Sequence, residues 1–187
     1  MDTKLSVGVV WPSEPTPIEL EELDRFVPDG IDMRWVAVNQ SPEPAKGITL
    51  EHVAGLAGSS IIEQKSLELV PYGVSAIAYA CTSASYVRGV GGDKDISTRV
   101  TETTNLPATT TSTAAVLALR NRGVRDVAVL SPHIDPINDR LKLFLEGSGF
   151  NVVSMKGLNR LRDINQIPPE INADMVTQEM DRPDANG

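Results

Sequence analysis

The sequence predicts an α/β fold with a mainly parallel sheet, arranged as two similar halves. Two observations carry that prediction. Apolar, β-leaning runs alternate with stretches of helical periodicity along most of the 187 residues, the pattern of strands joined by crossover helices. In addition, Val7-Gly8-Val9-Val10-Trp11-Pro12-Ser13 matches Val127-Ala128-Val129-Leu130-Ser131-Pro132-His133 in pattern, and each copy is followed by a helix, a glycine turn and another strand. A repeat this short also arises by chance, so it supports the two-half reading without carrying it alone. The division falls at residues 1–111 for the first half and 112–187 for the second.

The chain opens with an apolar run from Lys4 to Trp11, a buried strand ended by Pro12. Pro12-Ser13-Glu14-Pro15-Thr16-Pro17 then predicts a loop, and Ile18 to Phe26 a helix with Pro17 in its first turn. Asp29-Gly30 turns the chain into a strand from Ile31 to Val38, and the polar stretch Asn39 to Gly47 is long enough to be a flap. A helical pattern from Thr49 to Val70, weakened by Gly55 and Gly58 and ended by Pro71, leads to a third strand, Val74 to Ala80. Gly89-Val90-Gly91-Gly92 fits neither a dinucleotide fingerprint nor a P-loop and reads as a turn. There follow a helix Asp93 to Thr104, a strand Pro107 to Thr111, a helix Ser112 to Asn121, a strand Val124 to Leu130, a helix Pro136 to Glu146 and a strand Phe150 to Met155. The spacing from Pro12 to Cys81, carried onto Pro132, points beyond Gly187. The second half is therefore expected to be incomplete, with Asp181 to Gly187 a polar, turn-like tail.

Composition narrows the function. Acidic residues outnumber basic ones, 25 to 17, for a formal net charge of −8 and a pI near 4.8. Without a Lys/Arg cluster, neither nucleic acid nor an anionic membrane surface is an expected partner. A single cysteine permits no internal disulfide and suits a reducing compartment. The first apolar run is short, interrupted by Gly8 and preceded by Asp2, so no signal peptide or membrane span is expected and the cytoplasm is the default location. His52 and His133 are isolated and make no metal set with one cysteine.

Candidate chemistry centres on Tyr79-Ala80-Cys81-Thr82-Ser83-Ala84-Ser85-Tyr86-Val87-Arg88-Gly89. The third strand ends at Cys81, and the residues after it suit a helix start. A thiol at the carboxyl rim of a parallel sheet is where ligands bind, and nearby helical N–H groups favour its thiolate. Thr82 and Ser83 add donors, and the Pro12-Ser13 loop lies on the same rim. The bland alternative is that a lone cysteine is a small buried hydrophobe. Arg88 either attracts a carboxylate or braces its loop, and Thr109 to Thr113 either line the cleft or serve strand and cap.

Three ordered motifs then resemble a known family. They are Ala80-Cys81-Thr82-Ser83 with Arg88-Gly89, Leu106-Pro107-Ala108-Thr109-Thr110-Thr111-Ser112-Thr113-Ala114, and the run from Gly123 through Ser131-Pro132-His133 to Asn138. Together they are similar to the maleate cis-trans isomerase and arylmalonate decarboxylase group of the aspartate/glutamate racemase superfamily. The resemblance implies two pseudosymmetric α/β halves, no metal or organic cofactor, and small mono- or dicarboxylic acid substrates. It makes Cys81 the first-half cysteine, which attacks a double bond or moves a proton, and Thr82 and Ser83 the hydroxyl pair that binds a substrate carboxylate. His133 falls where the family usually has a tyrosine donating to that carboxylate. Pro15 stands where the isomerases carry an asparagine, and the decarboxylases have glycine in place of Cys81. Asn159 is a further candidate contact.

The resemblance implies a second cysteine in the second half, which this sequence lacks. Three readings follow. The chain is a cofactor-independent isomerase, racemase or decarboxylase with Cys81 as its reactive group, completed by further sequence or by another chain; or a shortened relative that binds small carboxylates with little or no turnover; or an unrelated two-lobed binding module. Exposed strand edges in an incomplete half would favour self-association into a homo-oligomer.

Overall fold

The computed structural model describes residues 5–39, 46–180 and 184. Four strands, β1 (Leu5–Ser13), β2 (Ile31–Asn39), β3 (Ala76–Tyr79) and β4 (Ala108–Thr110), form one parallel sheet in the order β2-β1-β3-β4. β1 is central, and its fully buried Val10 pairs with Val36 on one side and Tyr79 on the other. The strand runs past its expected end, through Pro12 to Ser13. Proline is tolerated there because the β1–β3 ladder stops at Val10 and Tyr79, while pairing with β2 passes from Trp11 to Ser13. No ladder partner calls on the missing N–H, and the Pro12 carbonyl accepts from Asn39 Nδ2 at 3.3 Å.

The first helix, α1 (Pro17–Phe26), starts with a capping box in which Thr16 Oγ1 accepts from the Glu19 N–H at 3.3 Å and Glu19 Oε2 accepts from the Thr16 N–H at 2.7 Å. The expected long helix from Thr49 to Val70 is instead two, α2 (Leu50–Gly58) and α3 (Ile61–Leu69), the second ending in a 3₁₀ turn at Val70–Tyr72. Ser59 breaks the ladder: its backbone is extended and its hydroxyl accepts from the Ile61 N–H at 3.2 Å. Gly58 at the break lies under the Arg88 guanidinium, which a Cβ would displace. Arg99, from α5 (Gly92–Thr104), holds the two helices together through Glu63 at 2.5 Å and the Ala57 carbonyl at 2.8 Å.

The core of this half is Val10, Val53, Ala57, Ile62, Leu69, Ile77, Ile96 and Val100, all nearly or fully buried. Each larger aliphatic side chain removed from water contributes roughly 1.5–3 kcal/mol. Gly8 sets how closely α3 approaches β1, since a Cβ there would stand 2.9 Å from Leu69 Cδ1.

Two further strands, β5 (Asp126–Ser131) and β6 (Asn151–Gly157), pair in parallel as a second sheet, with α7 (Asp135–Gly147) between them in the chain. This strand, helix, glycine turn and parallel strand repeats the β1-α1-β2 unit, and both turns need glycine because φ is positive, 87° at Gly30 and 96° at Gly149. The linking helix α6 (Thr111–Asn121) packs on β4 and α5. The short α4 (Thr82–Tyr86) packs on α6 and α7, with the Tyr86 and Phe144 ring centroids 6.4 Å apart.

One helix had no counterpart in the sequence reading. α8 (Pro169–Met180) packs on β5 and is tied to β6 by the Lys156–Glu179 ion pair. It carries no clear apolar stripe, and Ile171 and Val176 are exposed. The expected flap at Asn39 to Gly47 falls outside the described residues over positions 40–45, as does the expected tail over 181–183 and 185–187. Among the described residues no helix is long and apolar enough to cross a membrane.

Candidate active site

Strand order locates the site before any side chain is considered. In the order β2-β1-β3-β4 the chain proceeds outward from β1 to β2, then returns to the other side of β1 for β3 and β4. The reversal lies between β1 and β3, and a crevice outside the carboxyl ends of such strands is the ligand position of open α/β sheets. Val10 and Tyr79 are the last paired residues of the two strands, closed by the Ala80 N–H donating to the Val10 carbonyl at 2.9 Å. Pro12 and Cys81 each lie two residues beyond that pair, so the register brings Pro12-Ser13 and Cys81-Thr82-Ser83 to one rim.

Cys81 is the N-cap residue of α4 and only 8% exposed. Burial pushes its thiol well up from the ordinary cysteine value. The Ala84 N–H, the Ser83 hydroxyl and the Tyr79 hydroxyl act in the opposite direction without overcoming it. Ser83 Oγ lies 3.8 Å from the sulfur. The sequence expectation of a favoured thiolate therefore needs correcting: at neutral pH the group is a protonated thiol. A five-residue helix offers only a first turn of dipoles, while the penalty for burying a charge is set by the whole apolar surround.

The Cys81 segment is held from behind by hydroxyls. Thr111 Oγ1 donates to the Tyr79 carbonyl at 3.1 Å. Ser85 Oγ and Ser112 Oγ lie 2.8 and 3.2 Å from the Thr82 carbonyl, and with one proton each they share two donations between that carbonyl and each other. The two serine oxygens are themselves 2.6 Å apart and buried. Carbonyls on both sides of the thiol are thus fixed by the first turn of α6 and by α4 itself. Thr110 caps α6 through the Thr113 N–H at 3.2 Å, and Thr113 Oγ1 donates to the buried Asp93 at 2.6 Å. The buried members of this run, Thr110 and Ser112, support the rim from behind, while Thr111 is exposed at the end of β4. From the sequence, Tyr79 and Ser85 stand in the central stretch without a role, and Thr111 and Ser112 stay between lining the cleft and serving strand and cap; the density of hydroxyls is the available signal, and it does not specify their partners.

In the second half, Pro132 and His133 follow the carboxyl end of β5. The His133 N–H donates to Ser131 Oγ at 3.1 Å, and its carbonyl accepts from Asn138 Nδ2 at 2.9 Å. Burial lowers the His133 pKa, so its imidazole is neutral near pH 7, and its buried Nδ1 has no partner among the described residues. Pro132 lines a cavity of about 80 Å³ with Leu130 and Ser131, covered by Asn172, Met175 and Val176 of α8. No hydrogen bond among the described residues joins His133 to the Cys81 segment. The halves meet where α4 packs on α7, the two helices that begin at these rims, where α6 packs on α4, and where the Ile48 N–H donates to the Leu161 carbonyl at 2.7 Å.

The remaining candidates fall elsewhere. Arg88 lies past the far end of α4 in a groove with Glu51 and Arg140, away from Thr82. His52 lines a groove of about 690 Å³ at the end of β2 with Asn39, Lys46 and Thr49, and burial lowers its pKa. Asn159 Oδ1 accepts from the Asp135 N–H at 3.3 Å, at the start of α7. Among the described residues, no group of three or more His, Cys, Asp or Glu is placed to hold a metal ion.

Comparison with known proteins bears on the whole arrangement. A family model described as arylmalonate decarboxylase matches residues 41–187. An arylmalonate decarboxylase of Bordetella bronchiseptica is 35% identical over 107 residues, a match covering 56% of this chain and 45% of the relative. The matched region thus spans less than half the length of that curated relative. Among solved structures, the maleate isomerase Iso of Pseudomonas putida S16 superposes with a TM-score of 0.80 at 21% identity, over 97% of this chain and 75% of that one. A mutant of the Nocardia farcinica maleate cis-trans isomerase, with a covalently bound succinylcysteine intermediate, gives 0.78 at 21% identity over 92% and 72%. At these identities the likeness is one of fold, and that fold is the Asp/Glu racemase-like α/β arrangement.

Proposed function

This chain belongs to the arylmalonate decarboxylase family, and on that premise we propose that it transforms small mono- or dicarboxylic acids without a cofactor, as a decarboxylase, isomerase or racemase. Cys81 is the nucleophile or proton-transfer group, and Pro12, Ser13, Thr82, Ser83 and His133 form the carboxylate pocket. Residues 1–111 carry the thiol and residues 112–187 the facing wall. The observation behind this reading is the sheet order, with its reversal between the strand ending at Pro12-Ser13 and the strand ending at Cys81. The same reading puts the chain in the cytoplasm, where an unpaired thiol stays reduced.

The chemistry follows from the residues. When a carboxyl group leaves as carbon dioxide, the bonding pair stays behind and spreads onto the oxygens of the remaining carboxylate as an enediolate. Hydroxyl and N–H donors from Thr82 and Ser83, preorganised by the Ser85 and Ser112 bonds to the Thr82 carbonyl, stabilise charge where it develops. The protonated Cys81 thiol then supplies the proton that carbon needs, and the thiolate left behind is reprotonated from water. A neutral His133 donates a hydrogen bond to a carboxylate without adding a charge. Formation of a carbon–sulfur bond, as in the covalently bound succinylcysteine intermediate of the Nocardia farcinica maleate cis-trans isomerase, would need the Cys81 thiolate instead.

A second reading, a relative that binds carboxylates with little or no turnover, is favoured by the burial of Cys81. Incubation with maleate, aspartate and an arylmalonate in heavy water, followed by NMR beside Cys81→Ala, separates the two. Conversion with deuterium uptake that disappears in the variant supports the enzyme. Folded protein that converts none of the three supports the binder.

A further inference from the structure

Two phenols are buried without a hydrogen-bond partner among the described residues. Tyr79 and Tyr86 are each 1% exposed, and neither hydroxyl makes a hydrogen bond to a described residue. An unpaired buried hydroxyl is costly and calls for an explanation. For Tyr79 the geometry supplies one. Side chains two apart on an extended chain leave it on the same face, and Tyr79 and Cys81 are two apart at the end of β3. The Tyr79 hydroxyl is near enough to the sulfur for each group to shift the proton affinity of the other, and Thr111 Oγ1 holds the Tyr79 backbone through its carbonyl.

We propose that Tyr79 is a positioning residue, a hydrogen-bond donor held ready for the Cys81 thiolate, its bond forming fully only when the sulfur has lost its proton. A thiol is a weak acceptor and leaves the phenol unpaired, whereas a thiolate is a strong one. The donor therefore stabilises the charged state and not the resting state, the differential that lowers a barrier. No proton leaves Tyr79: the sulfur's proton goes to the substrate carbon or to solvent base, and the phenol keeps its own. Burial and the neighbouring sulfur raise the Tyr79 pKa far above its ordinary value, so it acts only as a donor, and the same contact pulls the Cys81 pKa down against burial. Tyr86 responds to charge on Cys81 but gives it no hydrogen bond, and its ring is occupied by Phe144.

The inference rests on the proposed function only in taking Cys81 as the reactive group. Its test needs no substrate. Cysteine labelled with ¹³C at Cβ gives one resonance, because the chain has one cysteine, and its shift against pH titrates the thiol directly. Tyr79→Phe is expected to raise the thiol pKa so that thiolate at a fixed pH falls about tenfold, with Tyr86→Phe close to the parent. Curves for Tyr79→Phe and parent that superimpose would overturn the proposal, as would equal shifts in both variants. A Tyr79-specific shift in a protein without turnover would leave the donor standing and sink the enzymatic reading; turnover with superimposed curves would do the reverse.

Discussion

The two rims of this molecule are built from the same unit and end up with different chemical capacity. At each, an apolar strand runs into a proline followed by a polar residue, Pro12-Ser13 after β1 and Pro132-His133 after β5, and a helix, glycine turn and parallel strand follow. The first rim gains a second strand end beside it, because β1 is paired on both sides and β3 delivers Cys81 next to Pro12. Among the described residues β5 pairs only with β6. The first rim therefore brings two strand ends side by side, while the second offers one wall covered in part by α8. Both hold their titratable group uncharged: burial pushes the Cys81 pKa up and the His133 pKa down. What distinguishes the rims is strand neighbourhood rather than local sequence.

The comparison can be broken at several points. If chemistry belongs to the first rim, Cys81→Ala lowers turnover by about 10²–10⁴-fold, while His133→Gln loses much less; steady-state rates for the two variants decide this. The halves depend on each other through α4 and α7, so Phe144→Ala, which strips the ring packed on Tyr86, costs about 3–5 kcal/mol in denaturant unfolding. A single cooperative transition should persist there, and two transitions would mean independent halves. Ser112→Ala removes a buried hydroxyl from the Thr82 carbonyl together with its 2.6 Å contact to Ser85 Oγ, which keeps the Thr82 carbonyl as its acceptor, for about 1 kcal/mol.

Smaller effects sharpen the picture. His133 has its pKa lowered by burial from 6.5, so as pH falls the unfolded chain takes up the proton first. Its stabilising contribution is complete above 6.5 and is lost as pH falls through the lower folded-state value. Unfolding midpoints measured across that window should decline less in His133→Gln, with His52 contributing to what remains. Tyr79→Phe removes an unpartnered buried hydroxyl and should leave stability unchanged or raise it by up to about 1 kcal/mol. A clear loss of stability would show that the phenol already has a partner in the resting state.

Much of this was legible in the sequence where one apolar run meets one punctuating residue. Val74 to Ala80 ending at Cys81, or Val124 to Leu130 ending at Ser131-Pro132, marks a strand and its rim without tertiary information. Legibility failed where a neighbour decided the outcome. Pro12 extends β1 only because β3 has already stopped pairing beside it. The break at Ser59 depends on its hydroxyl reaching the Ile61 N–H, where periodicity alone suggested one helix. α8 is held by β5 and the Lys156–Glu179 pair rather than by an apolar stripe. At the site, Cys81, Thr82 and Ser83 stand out as residue types, whereas Tyr79, Ser85, Thr111 and Ser112 act through contacts across the fold.

The central claim is that a small carboxylate binds at the switch point between β1 and β3. Titrating the ¹⁵N-labelled protein with maleate and following its amide resonances tests this most directly. The account predicts that the largest shifts occur at Ser13, Thr82 and Ser83, with Tyr79 and Cys81 responding and Arg88 silent. Shifts concentrated on Lys46, Thr49 and His52, which line the groove at the end of β2, or confined to the β5 rim, would contradict it.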